Sequence, residues 1–397
     1  MKRAVWYLLP LTSMLLLLDA LPAFALPAFA RREGVKCQMC HYRAPELNAD
    51  GHAYLRRGLR EEPKGSMKGM DMGGETAKRT AAAVPRPLGE PLPFVWGDYL
   101  TIMGHHGLNA QRGAATNIDA GMIDMWFGGP VDQHWSGLAN PVLGIEESGA
   151  EVEQAYGQYI TSWGDRFGSV RFGQLLPMAI LFRQGGPGMP LSAPVALSTS
   201  SGNLNPWSPS TPIRALEVGW IDLPRWDLYV GAGQPHFGDG DSSKKHVDLY
   251  SSAEVLLGKS GSSLSAFGYL GKTARLGEPA RSFQRLGLLT DVYVRMTKLD
   301  LGFVWGEDDQ ASGPSLRSTG GFVLAEELLA EQWAVYGRYD YLKQDVADDA
   351  AKTTDGLAIG LSFWAQTQVR ITLEGQFLKA TGSPRDRTAA AELLWVF

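Results

Sequence analysis

Cys37-Gln38-Met39-Cys40-His41 is the segment of this chain best equipped for chemistry, and it holds the only two cysteines. Two thiols at that spacing, followed at once by an imidazole, form the attachment pattern of a c-type haem. The thiols make thioethers to the porphyrin vinyls, and the imidazole becomes the proximal iron ligand. Cys37 and Cys40 are therefore expected to hold one covalent haem c, with His41 on its iron. With both cysteines in that run, a disulfide framework is excluded.

The second axial ligand is left open. His52 lies in the stretch from Pro45 to Gly58, which starts with Pro and reads as a short helix. Leu47, Tyr54 and Leu55 would share its haem-facing side. His52 lies off the centre of that stripe, so a surface histidine is the bland alternative. Met67, Met70 and Met72 compete with it, because Met/His ligation raises the potential of a haem. The same thioethers, set among glycines, could hold copper(I), or belong to a flexible linker with no ligand at all.

The elements that must position this motif follow from the rest of the chain. Met1-Lys2-Arg3, an apolar run through Leu18 and two small-residue sites ending at Ala25 and Ala30 read as a secretory signal peptide. The competing reading is a membrane anchor, for which the apolar run is short. No later segment approaches the ~18 consecutive apolar residues of a transmembrane helix. Net charge is −5 with no basic patch, which argues against nucleic acid. Residues 31–60 read as a compact haem segment, and 61–93, rich in Pro, Gly and Ala, as a linker.

From 94 to 397 the dominant period is two. Ile371, Leu373 and Phe377 oppose Arg370, Thr372, Glu374 and Gln376. Trp333, Val335, Tyr339 and Tyr341 oppose Arg338 and Asp340, and Leu299, Leu301, Phe303 and Trp305 share a face. Seven short links alternate with eight longer polar ones, near 104–119, 144–150, 178–213, 235–245, 274–283, 308–316, 344–354 and 381–387. That count predicts an all-β fold, an antiparallel transmembrane β-barrel of about sixteen strands, with short periplasmic turns and long outer loops. A soluble β-sandwich shares the alternation but needs neither the exposed apolar faces nor the loop asymmetry. The chain stops on Leu393-Leu394-Trp395-Val396-Phe397, an alternating strand with an aromatic end that resembles the insertion signal of bacterial barrels.

Phe29-Ala30-Arg31, Gly34, Cys37-Gln38-Met39-Cys40-His41, then Pro45-Glu46-Leu47-Asn48 and Gly51, resemble a known family: the outer-membrane cytochrome–porin fusions, whose best-known members are iron-oxidising monohaem cytochromes. The likeness of residues covers about 29–58 and is architectural beyond. It implies electron transfer across the bacterial outer membrane, with extracellular Fe(II) as donor and a periplasmic electron-carrier cytochrome as partner. One departure is His52, where the family commonly has Arg.

Loop parity places His105 and His106 on the first long loop, where paired imidazoles could bind a metal donor. It also makes Glu307, Asp308, Asp309, Asp345, Asp348 and Asp349 an acidic outer rim that would concentrate cations, or ordinary solubilising charge. The 178–213 loop is expected to face outward. The leading function is an electron conduit. A hydrocarbon core ~30 Å thick is too wide for one efficient tunnelling step, and a haem inside the lumen would shorten both legs. A linker of this length reaches about 30 Å, enough to let the haem segment enter from beneath. The alternative is a porin or channel whose haem segment is a plug or sensor, since sixteen strands can leave an aqueous channel. A haem peroxidase lacks distal acid–base residues beyond His52.

Overall fold

The computed structural model describes residues 28–33, 40–43, 46–47, 49–59 and, apart from several loop segments, 99–396. Two short helices, α1 (Ala28–Glu33) and α2 (Ala49–Arg56), flank a small antiparallel ladder of β1 (His41–Arg43) and β2 (Glu46–Leu47). Sixteen further strands follow. They are β3 (Leu100–Gln111), β4 (Asn117–Pro130), β5 (Trp135–Gly144), β6 (Gly149–Trp163), β7 (Arg166–Leu175), β8 (Ile213–Asp222), β9 (Trp226–Pro235) and β10 (Asp248–Leu257). Then come β11 (Ser262–Thr273), β12 (Arg281–Val294), β13 (Thr297–Asp308), β14 (Leu316–Ala330), β15 (Trp333–Val346), β16 (Asp349–Gln366), β17 (Val369–Ala380) and β18 (Asp386–Val396). Each pairs antiparallel with its neighbour in sequence, and β18 closes on β3, so the sheet has no open edge.

Period-two alternation decides which face each residue takes. On β17, Ile371 and Leu373 are 40% and 53% exposed outward, while Arg370 and Thr372 are buried inside. On β8, Leu216, Val218 and Trp220 point out and Glu217 points in. An outward belt of Leu, Val and aromatics is stable only against lipid, as in outer-membrane barrels. The predicted short links all occur, as 131–134, 164–165, 223–225, 258–261, 295–296, 331–332 and 367–368. All lie at one end of the barrel, termed here the turn end.

Among the described residues, four buried lumen arginines are each held in an ion pair. Arg171 meets Glu217 at 2.6 Å, Arg285 meets Asp308 at 2.9 Å, Arg338 meets Asp340 at 2.8 Å and Arg370 meets Glu392 at 2.8 Å. A buried guanidinium left alone would cost several kcal/mol, so each arginine is matched to a carboxylate on its own or a neighbouring strand. Aromatic rings lie across glycines of adjacent strands: Tyr250 over Gly231, Phe267 over Gly287, Phe322 over Gly302. A side chain on any of these glycines would collide with the ring.

Four expectations need correction. The links at 104–119 and 344–354 are shorter than their polarity implies, because β3 runs to Gln111 and β16 starts at Asp349. Strands that extend past the apolar belt meet water on both faces and can be polar throughout. His105 and His106 consequently sit within β3, not on a loop. Asp308 is not a free rim charge but is 2% exposed and paired with Arg285; Glu307 accepts from Gln284 at 2.8 Å. Asp348 and the Asp349 side chain lie outside the described residues.

The fourth correction concerns the longest connection. Its described part turns into the barrel as a strap. Glu374 accepts from the Leu191 amide at 2.9 Å and the Ser192 amide at 3.2 Å, and Asp340 accepts from the Val195 amide at 3.3 Å. Arg338 donates to the Ser192 and Ala193 carbonyls. Ala196 and Leu197 are buried, and Trp207 stacks on Phe267 and lies tilted against Tyr269 beneath the Arg285 guanidinium.

Candidate functional site

The stretch from α1 to α2, which brackets the Cys-His motif, is anchored through its two helices inside the turn end of the barrel. Its first contact is on α1, where the Ala28 amide donates to Thr101 Oγ1 at 3.0 Å. Cleavage of a signal after Ala25 would retain this helix, whereas cleavage after Ala30 would remove half of it. Arg32, one turn on, donates to the Gly128 carbonyl at 3.1 Å, to the Leu59 carbonyl at 2.8 Å and to the Tyr54 hydroxyl. Its guanidinium lies over the Phe29 and Tyr99 rings.

α2 ends in a Schellman motif. Leu59 N donates to Tyr54 O and Gly58 N to Leu55 O, each at 3.0 Å. Gly58 has φ +67°, and a Cβ there would lie 2.4 Å from Ser136 Oγ and 2.9 Å from Ile160 Cδ1. Glycine therefore answers both the left-handed turn and the closeness of the wall. Leu59 also has positive φ (62°) and is 6% exposed. It joins a buried apolar cluster that runs through Leu138, Tyr156 and Tyr250 to Trp207 and Leu197 of the strap.

Arg56 closes α2. Its Nε lies 2.9 Å from Asp227 Oδ2 on β9, and its Nη2 meets Glu254 Oε2 on β10. Burial pulls the pKa of this guanidinium down, but the Glu254 and Asp227 carboxylates outweigh it and the net shift is upward. The Arg56 carbonyl accepts from Gln158 Nε2 at 3.1 Å, and Arg57 lies over the Phe167 ring. Burial raises the pKa of Asp50, in the first turn of α2, against the pull of Arg57.

Between the two helices, Cys40 sits partly exposed in a turn, in no disulfide, and His41 opens β1 half-buried, opposite Leu47. A thiol and an imidazole on consecutive residues, both reachable, form a donor set that suits a covalently attached porphyrin. α2 is shorter than the predicted 45–58 helix because Glu46 and Leu47 pair with β1 instead. His52 is half-buried on α2. Tyr54 and Leu55, expected on the haem side, pack against the lumen cluster. Cys37, Met67, Met70 and Met72 lie outside the described residues.

His105 and His106 do not form a joint site. They are consecutive on β3, so their side chains take opposite faces. His105 is in the lumen, with Nε2 3.2 Å from Asp124 and Nδ1 3.4 Å from Glu392. Among the described residues, no group of three His, Cys, Asp or Glu side chains is arranged to hold a bare metal ion. Sequence reasoning missed Arg32, Arg56, Asp227 and Glu254; only the Arg56-Arg57-Gly58 run, a basic last turn before glycine, carries a local signal.

No protein-family model and no curated protein matches the chain. Solved structures do. An anion-selective porin from Comamonas acidovorans is similar over 75% of this chain and 99% of its own, with TM-score 0.60 and 12% identity. A loop-L8 deletion mutant of OmpT, an outer membrane protein of Vibrio cholerae, is similar over 75% and 98%, with TM-score 0.59 and 10% identity. Salmonella typhi OmpF in complex with daunomycin is similar over 75% and 97%, with TM-score 0.55 and 10% identity. At these identities the likeness shows the fold: a closed sixteen-stranded barrel of the outer-membrane type.

Proposed function

We propose that this chain is an outer-membrane electron conduit. It carries one haem c on Cys37 and Cys40, with His41 as proximal ligand and His52, Met67, Met70 or Met72 completing the iron. Bound there, the haem supplies one-electron exchange: one electron enters from an extracellular donor, and one leaves to a periplasmic cytochrome. Fe(II) is the donor that the resemblance favours, becoming Fe(III) with no bond made to the protein. The observation that supports this reading is the seating of α1 and α2, which flank the Cys-His motif, within the barrel mouth through Arg32, Arg56 and Leu59. These residues anchor both ends of the segment that carries the motif at the turn end of the lumen, beside a buried apolar cluster.

A second reading, a porin or channel with the haem segment as plug or sensor, is favoured by the likeness to solved porins. One experiment separates the two. Haem staining of a denaturing gel should give one band that Cys40→Ala abolishes, and the haem band in intact cells should be reduced on adding external Fe(II). A stained protein that never responds to outside donors would leave the channel reading. A gel without covalent stain would remove the haem.

A further inference from the structure

We propose that Arg56 is a latch that holds α1 and α2 in the lumen as a resident plug, and that the assembled barrel is sealed to small solutes. The wall explains why. Asp227 and Glu254 are directly opposed Cα partners on β9 and β10, both facing inward and both nearly fully buried. Like charges at directly opposed positions destabilise a strand pair, and burial removes the water that would screen them. Without a cation between them, this corner of the lumen would repel itself. Arg56 supplies that cation and meets one carboxylate with Nε and the other with Nη2.

The contacts around the pair are specific to this occupant. The Gln158 amide caps the Arg56 carbonyl, at the helix end where carbonyls lack intrahelical partners. Gly58 leaves no gap to Ser136 and Ile160, and Leu59 enters the cluster that reaches the strap. The plug touches the wall from β3 to β10, and the strap lies on β11 to β17. Among the described residues, these two bodies on opposite walls share one buried apolar cluster, and the proposed seal lies where they meet.

The inference rests on the plug contacts and not on haem, so it is tested apart from the electron-transfer reading. Full-length protein in planar lipid bilayers should show no sustained conductance steps, both as isolated and as the haem-free Cys40→Ala form. Arg56→Ala, and independently Asp227→Asn with Glu254→Gln, should raise the frequency of open events at least tenfold in barrels whose heat-modifiable mobility proves them folded. Arg56→Lys, which keeps a cation for both carboxylates, should return most of the seal. Porin-like steady conductance of the unaltered protein would overturn the proposal even if every variant failed to assemble. Folded Arg56→Ala barrels as silent as the parent would overturn the role of the latch.

Discussion

Gly58→Ala isolates the docking of the plug from the stability of the barrel. Gly58 holds φ +67°, where an L side chain costs about 1–2 kcal/mol. The new methyl would also meet Ser136 Oγ at 2.4 Å and Ile160 Cδ1 at 2.9 Å, and overpacking of that kind costs about 1–3 kcal/mol. The two together weaken docking by roughly 2–5 kcal/mol, or roughly thirty-fold to several-thousand-fold in the docking equilibrium. Hydrogen exchange by mass spectrometry on reconstituted protein reads this directly, because local opening sets the exchange of peptides covering 49–59. Those peptides should exchange faster by that factor while β12–β16 are unchanged. Adding Ser136→Ala removes the nearest atom and should restore the part due to that contact, leaving the Ile160 contact and the backbone cost of about 1–2 kcal/mol. Exchange of 49–59 within twofold of the parent would refute both the left-handed turn and the tight approach to the wall.

Arg338→Ala should free the strap, since it removes the donors to Ser192 and Ala193 and strands Asp340 as a buried carboxylate, a loss of roughly 3–5 kcal/mol; proteolysis within 190–197 should rise without loss of heat-modifiable mobility. Asp50 has its folded pKa raised by burial, so the docked segment binds that proton more tightly than the undocked one. Protection of 49–59 should therefore increase as pH falls through the folded pKa, and Asp50→Asn should increase protection at neutral pH and flatten the acid-side gain. Trp395→Ala uncovers Gly104, over which the indole lies, and should cost about 1–2 kcal/mol; removing residues 395–397 should lower assembled barrel more steeply on heat-modifiability gels.

What the sequence alone determined is local in origin. The Cys-x-x-Cys-His run sets the candidate chemistry by residue type and spacing. Alternation sets the barrel, because each strand reports its lipid and lumen faces within a few residues: Leu373 out and Glu374 in is legible without knowing any partner. Counting turns between such strands reached sixteen. Only the tertiary structure decided where the two irregular segments go. The plug depends on Arg56 meeting Glu254, 198 residues away, and the strap on Leu191 and Ser192 meeting Glu374. On the wall, Glu254 and Glu374 are each a single polar residue in an ordinary lumen-facing strand position, identical in pattern to the strand residues around them. The same holds for His105: its polar surroundings read as loop, yet closure of β18 on β3 brings Glu392 to one ring nitrogen while Asp124 on β4 takes the other. Period and composition record which face a side chain takes. The three-dimensional closure of the barrel alone brings distant faces within hydrogen-bonding reach, and that is where the plug and the strap are held.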